Sequence, residues 1–417
     1  MRARLMRILF LTTDLSYPPQ DGRMLRTYNV LRGLAGRHSV HLVCFDQRHG
    51  EDPDERRRVA EARLRELCAS VDVFEVPSKR SKLSLVWTGV ASLVESLPFS
   101  SRVYRSRAAL RTMKALAARQ PMDVLHVENT LLGDHVTGLA AGARVLVHHN
   151  VESDLFRQRA ASDRLFFRRQ FTSLEAAKMR RFEQRMGPRF GAHIACSARD
   201  AARLAEIMDG ARACVVPNGV DLDYFSPRTS SEPRAPNVVH IGGLNWAPNL
   251  HGARWLVDDV WPRVRASVKE ATLAFVGRTG EAPVSRWQSQ GVLCPGEVED
   301  VRPYYADASL SVVPVHVGGG TRLKILNSWA MGTPVVSTTK GCEGLAGRPG
   351  ENLLVADTPE AFAAAVIRLL REPGLGAALG ASGRKLVEAE YGWPRIVEQT
   401  ERAYQQARDD STAARSC

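Results

Sequence analysis

Seven residues, Gly318-Gly319-Gly320-Thr321-Arg322-Leu323-Lys324, place three glycines and two cations in one short stretch. Glycines let a backbone approach a ligand closely, because no side chain intervenes. An apolar run at 310–315 leads into the stretch, and a helix-like segment at 325–331 leads out. The free N–H groups and positive dipole end of a following helix favour an anion. Arg322 and Lys324 add cationic side chains at the same place. This combination suits a diphosphate, and therefore a nucleotide-linked substrate. A plain strand-to-helix turn with solvated charges accounts for the same residues.

Histidines close two other apolar runs: His126 after 123–125, and His148-His149 after 144–147. An imidazole at a strand end can hydrogen-bond a hydroxyl or a developing charge, or can serve as a structural hydrogen bonder. Glu128 and Glu152 follow as polar neighbours. Asp221-Leu222-Asp223 has the spacing of a metal-holding pair, but it follows Pro217-Asn218-Gly219 and reads as a turn and helix start. The seven cysteines are scattered, with no two at C-x-x-C spacing, so neither zinc nor a redox pair is indicated. Such a dispersed set suits a reducing cytoplasm. No metal and no cofactor are expected.

The elements that must position these residues alternate along the chain. Apolar runs at 7–12, 40–45, 71–76, 124–127, 143–148, 192–197 and 213–216 read as strands. Helical patterns fit 23–36, 55–69, 112–118, 198–208 and a long charged stretch at 165–187. Residues 226–236, rich in Pro, Ser and Arg, separate this half from a second. The second half opens at 238–241, and runs at 257–264, 271–276, 292–295, 301–306, 310–315 and 335–337 continue the alternation. Short strands alternating with helices imply parallel sheets with right-handed crossovers. The expected fold class is α/β, with two doubly wound, Rossmann-like domains at 1–225 and 237–390. A terminal helix and tail at 391–417 follow. Ligands of such sheets bind outside the carboxyl ends of the strands, and a cleft between the domains is the expected site.

Length and composition agree with this organisation. The 417 residues allow two or three domains of roughly 100–200 residues each. Hydrophobic content of 44% and charged content of 24% suit a globular protein with a large core. The net charge of +12 favours an anionic partner. Nucleic acid is disfavoured, because the basic residues are spread without interleaved aromatics. The run Ile8-Leu9-Phe10-Leu11 is too short for a secretion signal and reads as a first strand. No stretch reaches the roughly 18 apolar residues that span a bilayer.

As an ordered set, Val216-Pro217-Asn218-Gly219-Val220-Asp221, Gly242-Gly243, the glycine loop and Ala330-Met331-Gly332-Thr333-Pro334-Val335-Val336 resemble retaining glycosyltransferases of family 4 with the GT-B fold. The run Gly242-Gly243-Leu244-Asn245-Trp246-Ala247-Pro248-Asn249 resembles a subgroup associated with bacterial exopolysaccharide loci. The resemblance implies a nucleotide-sugar donor on the C-terminal domain, an acceptor on the N-terminal domain, and transfer with retention at the anomeric carbon. The last helix would cross back to the N-terminal domain.

The resemblance also assigns residues. Gly22, ahead of a helix, would meet the donor phosphates, although Asp21 can cap that helix by itself. His149 matches the family's histidine after its strand, and His126 is a second candidate. Gly242, Gly243, Gly318, Gly319, Gly320 and Thr321 would line the donor site. In many members a basic pair follows the first strand of the C-terminal domain. Here Gly243-Leu244-Asn245 stands there and no cation follows before Arg254, so Arg322 and Lys324 take over the leaving diphosphate. The family's two glutamates, eight residues apart, fall on Gly319 and Asn327. Asn327 keeps an acceptor oxygen without the charge, and a charge-assisted bond is about twice as strong as a neutral one. Glu343 is a substitute carboxylate.

The reading that results is a hexosyltransferase acting on a glycan or polyprenyl-diphosphate-linked acceptor, in polysaccharide biosynthesis. It would be cytoplasmic and peripheral to the inner face of the plasma membrane. Lys79-Arg80-Ser81-Lys82 and the apolar segment 83–97 suit an anionic membrane surface or a core-packed helix. Two alternatives share the fold: a sugar-nucleotide epimerase, and a catalytically degenerate nucleotide-sugar-binding partner.

Overall fold

The computed structural model describes residues 5–47, 52–77, 87–92, 95–136, 138–163, 165–211, 213–227 and 236–416. The chain forms two compact units, Met1–Pro217 with Trp393–Cys417, and Asn218–Gly392. Of the basic and apolar segment 79–97, only 87–92 and 95–97 fall within the described residues.

The first unit is built on a seven-stranded sheet. Its strands are β1 (Arg7–Thr12), β2 (Ser39–Asp46), β3 (Ser70–Glu75), β4 (Val124–Val127), β5 (Ala143–His148), β6 (Ala192–Ala195) and β7 (Ala213–Val215). Their order is β3-β2-β1-β4-β5-β6-β7 and every pair is parallel. Continuous apolar runs such as Ile8-Leu9-Phe10-Leu11 form because both sheet faces are covered. Successive side chains point to opposite faces. Ile8 and Phe10 accordingly join one core cluster, while Leu9 and Leu11 join another.

The terminal helix Trp393–Ser416 covers the first of these faces. Ile396, Val397, Ala403, Tyr404 and Ala407 pack with Leu31, Leu34, Val145 and Ile194. Val397 sits where a side chain on Gly33 would begin: its methyl lies 2.4 Å from the ideal Cβ position. The helix beyond the second sheet in sequence is thus a structural layer of the first.

The second unit holds β8 (Asn237–Ile241), β9 (Thr272–Val276), β10 (Val292–Gly296), β11 (Leu310–Val313), β12 (Val335–Ser337) and β13 (Leu354–Val355). The order is β10-β9-β8-β11-β12-β13, again all parallel. Val238, Leu273 and Val312 face one core cluster, and Val239, Val276 and Val313 the other. The runs at 257–264 and 301–306 are helical: the first lies in the continuous helical stretch Ala247–Ser267, the second in Arg302–Asp307. The helices Glu152–Ser162, Pro359–Arg371 and Pro373–Glu390 were not legible as separate elements.

Both sheets reverse direction at their centre. The strand order runs outward from β1 one way and from β4 the other, and likewise from β8 and β11. Such switch points open a crevice at the carboxyl ends of the two central strands.

Candidate functional site

In the second unit the switch point carries both glycine motifs. Gly242-Gly243 ends β8, and the stretch 316–322 follows β11. Gly318 and Gly320 have φ of 105° and 76°, a left-handed backbone that side-chain-bearing residues rarely adopt. The loop then enters the helix Leu323–Ala330, whose N-terminus lacks a side-chain cap and whose first turn holds no acid.

Arg322 folds back over this loop. Its guanidinium donates to the carbonyls of Gly319 and, at 2.7 Å, of Gly320. The guanidinium lies 5.3 Å above the Trp246 ring. Arg322 is only 5% exposed, and burial pulls it down to about 10, so it stays cationic at neutral pH. Its Nε is buried without a hydrogen-bond partner.

Lys324 reaches the end of β8. Its Nζ donates to Asn249 Oδ1 at 3.0 Å and to His240 Nε2 at 3.1 Å. Nδ1 of His240 lies 3.0 Å from the Val312 carbonyl and must donate to it, so Nε2 is the acceptor. Asn249 is fixed in turn by Nδ2 on Gly243 O at 2.8 Å. The ammonium lies 2.7 Å from the place a Cβ on Gly242 would take. Burial first, then Arg322, pulls Lys324 from 10.5 down to about 7. Burial and then Lys324 push His240 well below the usual imidazole range, so it is neutral. Among the described residues neither Lys324 nor Arg322 has a carboxylate partner.

The other expected positions of this unit lie around the same strand ends. The Thr321 hydroxyl accepts from Asn218 Nδ2 at 2.6 Å. Asn327 hydrogen-bonds the Tyr305 hydroxyl, which itself donates to the Lys324 carbonyl at 3.2 Å. Glu343 follows β12 and is bound by Lys340 at 2.5 Å. The Asp221 carboxylate accepts from the Asp223 and Tyr224 N–H groups at 3.1 and 2.9 Å, which is a turn. Among the described residues no group of three or more His, Cys, Asp or Glu side chains is placed to hold a metal.

In the first unit the structure separates the two histidines. His126 is fully buried, stacked 4.2 Å from the Phe10 ring. Tyr404 of the terminal helix donates to its Nδ1 at 2.6 Å, and Glu128 bonds its Nε2. The expected chemical role for His126 is therefore corrected: the terminal helix seals it inside the core, where it is a structural hydrogen bonder. His148 is also sealed, between Thr130 at 2.9 Å and His193 at 3.0 Å. The His149 side chain, 7% exposed, lies beside them. Its Nε2 donates to the Glu128 carbonyl at 2.8 Å, leaving Nδ1 as the acceptor. Burial pulls it down to about 4 despite Glu128, so it is neutral at pH 7.

Gly22 is the first residue of the helix Gly22–Ala35, and Asp21 caps it by accepting from Met24 N at 2.8 Å. Behind it, Asp14 holds Arg23 and accepts from Gln47 at 2.5 Å. Glu128 is the hub that sequence reading left as a bystander. It is buried among His126, His149, Thr27 and Arg26, whose Nε lies 4.0 Å away. Its carboxyl remains below the ordinary carboxylate range, because His126, His149 and Arg26 outweigh the cost of burial.

His240, Trp246 and Asn249 were also missed as site residues. One signal was available for the first: His240 is the polar residue within the apolar run Val238-Val239-His240-Ile241.

Two α/β units with parallel sheets and glycine motifs at a central switch point define the GT-B class. A model described as "Glycosyltransferase Family 4" matches residues 25–224, and one described as "Glycosyl transferases group 1" matches residues 235–372. The chain belongs to these group 1, family 4 glycosyltransferases with the GT-B fold. A D-inositol 3-phosphate glycosyltransferase of Geodermatophilus obscurus is 32% identical over 248 residues, 53% of this chain and 54% of that protein. A GDP-mannose-dependent phosphatidylinositol monomannoside mannosyltransferase of Corynebacterium glutamicum is 28% identical over 204 residues, 44% of this chain and 53% of that protein. The chain thus spans about half the length of these curated relatives. Sucrose-phosphate synthase from Thermosynechococcus elongatus superposes with a TM-score of 0.68 at 18% identity, covering 96% of this chain and 98% of that one. The Anabaena protein HepE, solved with UDP-glucose, gives 0.65 at 14% identity, covering 96% and 99%.

Proposed function

We propose that this protein transfers a hexose from a nucleotide-sugar donor to a glycan acceptor, lipid-linked through a polyprenyl diphosphate, with retention at the anomeric carbon. One observation carries the donor half: two basic side chains withdrawn from water, Arg322 and Lys324, meet at the switch point, and among the described residues no carboxylate pairs with either. A buried charge without a counter-charge is costly, which is why Lys324 is pulled down to about 7, and an anion in the site would restore its charge. A diphosphate is such an anion, and the orphaned Nε of Arg322 is a donor ready for one of its oxygens. The UDP-glucose bound by HepE is consistent with this donor class.

In the proposed reaction an acceptor hydroxyl attacks the anomeric carbon on the face from which the diphosphate leaves. The new C–O bond forms as the C–O bond to phosphate breaks, and that electron pair goes to the diphosphate. A donor phosphate oxygen takes the hydroxyl proton. Cations placed in advance where charge grows are the largest single source of such acceleration. Arg322, Lys324 and the uncapped N-terminus of the helix Leu323–Ala330 fill that role. His149, neutral, offers Nδ1 as an acceptor for a sugar hydroxyl. Asn327 meets the ribose as a neutral acceptor.

A thermal-shift screen against UDP-, GDP-, ADP- and dTDP-sugars tests the donor claim. A ligand at 100 times its Kd stabilises by about 2.7 kcal/mol, and no shift with any of the four sinks it. Asn327, in place of a glutamate, favours a second reading, a nucleotide-sugar-binding partner without turnover. Strong turnover appearing only in Asn327→Glu, with none in the native chain on any acceptor, would decide for it.

A further inference from the structure

Residues 165–171, at the start of the helix Phe166–Met186, are all exposed, with Phe171 edge-on to Phe99 at 6.2 Å. Phe167 is 86% exposed and Phe166 65%, with Leu165, Phe171 and Leu174 also open. Large apolar side chains left in water on consecutive turns mark a surface that meets something. At about 100° per residue, Phe166, Leu174, Phe167 and Phe171 span an arc of roughly 140° that Gln170 interrupts, with Arg168, Arg169, Thr172 and Ser173 on the other side. No acid occurs between 165 and 174. Arg169 also joins Arg157, Arg180 and Asp154, which pairs with Arg157 at 3.0 Å, in lining a groove against the helix Glu152–Ser162. Further along, the helix is anchored: Met179, Phe182 and Met186 enter the core, and Lys178 holds the Ser92 carbonyl.

We infer that the exposed start of this helix, Leu165 to Leu174, is a docking surface for an anionic lipid bilayer. A protein groove would be expected to match one stripe with complementary acids and bases. Here the aromatic side is flanked by Arg168 and Arg169 with no acid between 165 and 174, which suits an anionic interface. The rings enter the acyl boundary while the guanidinium groups stay on lipid phosphates. The surface lies on a different element from the basic segment at 79–97. Among the described residues no helix is long and apolar enough to cross a membrane. The inference stands apart from the donor reading, which is tested on nucleotide sugars without vesicles.

The test is co-sedimentation of the full chain with vesicles of phosphatidylcholine alone and with phosphatidylglycerol added. The native chain should bind the anionic vesicles, bind the neutral ones far less, and release as salt is raised. Each Phe→Ser change at 166 and 167 should lower partitioning on the order of tenfold or more. Arg168→Glu with Arg169→Glu should abolish the preference for anionic vesicles. Thermal unfolding should be unchanged in all variants, because the side chains are already in water. Native binding that is absent, indifferent to lipid charge, or equal in Phe166→Ser/Phe167→Ser would overturn the inference. So would a native dimer that becomes monomeric in that variant with vesicle binding unaltered, since a second copy would then be the occupant.

Discussion

On the proposed donor reading, Lys324 makes binding depend on pH. Its ammonium is withdrawn from water beside Arg322, with only the neutral acceptors His240 Nε2 and Asn249 Oδ1 to hold it, and it falls from 10.5 to about 7. A diphosphate in the site restores the charged form. Full restoration to 10.5 is worth at most about 5 kcal/mol, at 1.36 kcal/mol per pH unit. The sign follows from proton counting: between pH 7 and 10.5 the complex holds one more proton than the free protein. Binding therefore takes up a proton and weakens by up to tenfold per pH unit above 7, with half a proton taken up near pH 7. Arg322 stays charged to about 10, while His240 and His149 are neutral throughout. Both phosphates of a nucleotide sugar are substituted and do not titrate there, so the proton must come to the protein. Calorimetric titration in two buffers of different ionisation enthalpy, at pH 6, 7 and 8.5, measures the uptake directly. Lys324→Arg, charged to higher pH, should flatten the profile. A Kd independent of pH with no proton uptake at pH 8.5 would refute the enclosed-lysine reasoning.

Other expectations are simpler to check. Arg322→Ala should lower turnover by roughly ten- to a thousandfold, as for a lost transition-state donor; unchanged turnover removes Arg322 from the chemistry. Tyr404→Phe takes the hydroxyl from His126 Nδ1 inside the core. It should cost about 1–3 kcal/mol in denaturant unfolding without moving donor affinity, and a loss of donor affinity alone would return His126 to the functional site. Glu183 is buried, with one carboxylate oxygen unpartnered, and burial raises it from 4.5 to about 7. The native state then holds more protons than the unfolded chain between those values, so stability falls as pH climbs from 4.5 to 7. Glu183→Gln should shrink that slope in thermal melts across the range, and an unaltered slope would rule Glu183 out as its source.

Where one element suffices to define a feature, the sequence is legible. Ile8-Leu9-Phe10-Leu11 is apolar at every position, as a strand covered on both faces requires, and the alternation of such runs with helices implies the parallel sheet. The loop Gly318–Lys324 likewise carries its glycines and cations contiguously. Features assembled from several elements are not legible in this way. His126 and His149 look alike in sequence, each closing an apolar run. What separates them is Tyr404, 278 residues away, lying over one and not the other. The helix Glu152–Ser162 has no side-chain cap at its N-terminus, so only the acids Glu152 and Asp154 of its first turn mark its start. The apolar start of the next helix hides in a stretch whose overall character is charged.

The basic pair after the first strand of the second unit shows the same distinction at the level of chemistry. No cation follows Gly242-Gly243 in sequence before Arg254. In space one is present: the Lys324 ammonium sits against Gly242, delivered from the helix after β11. A side chain at position 242 would occupy that space, so the glycine and the lysine belong together. His240 and Asn249 complete the exchange, because a cation arriving from another element needs acceptors at its new place. A diphosphate senses where positive charge stands and which N–H groups point at it, whatever element supplies them. On the proposed donor reading, the charge that the resemblance places after the first strand of the second unit is supplied by Lys324, from the helix after the adjacent strand.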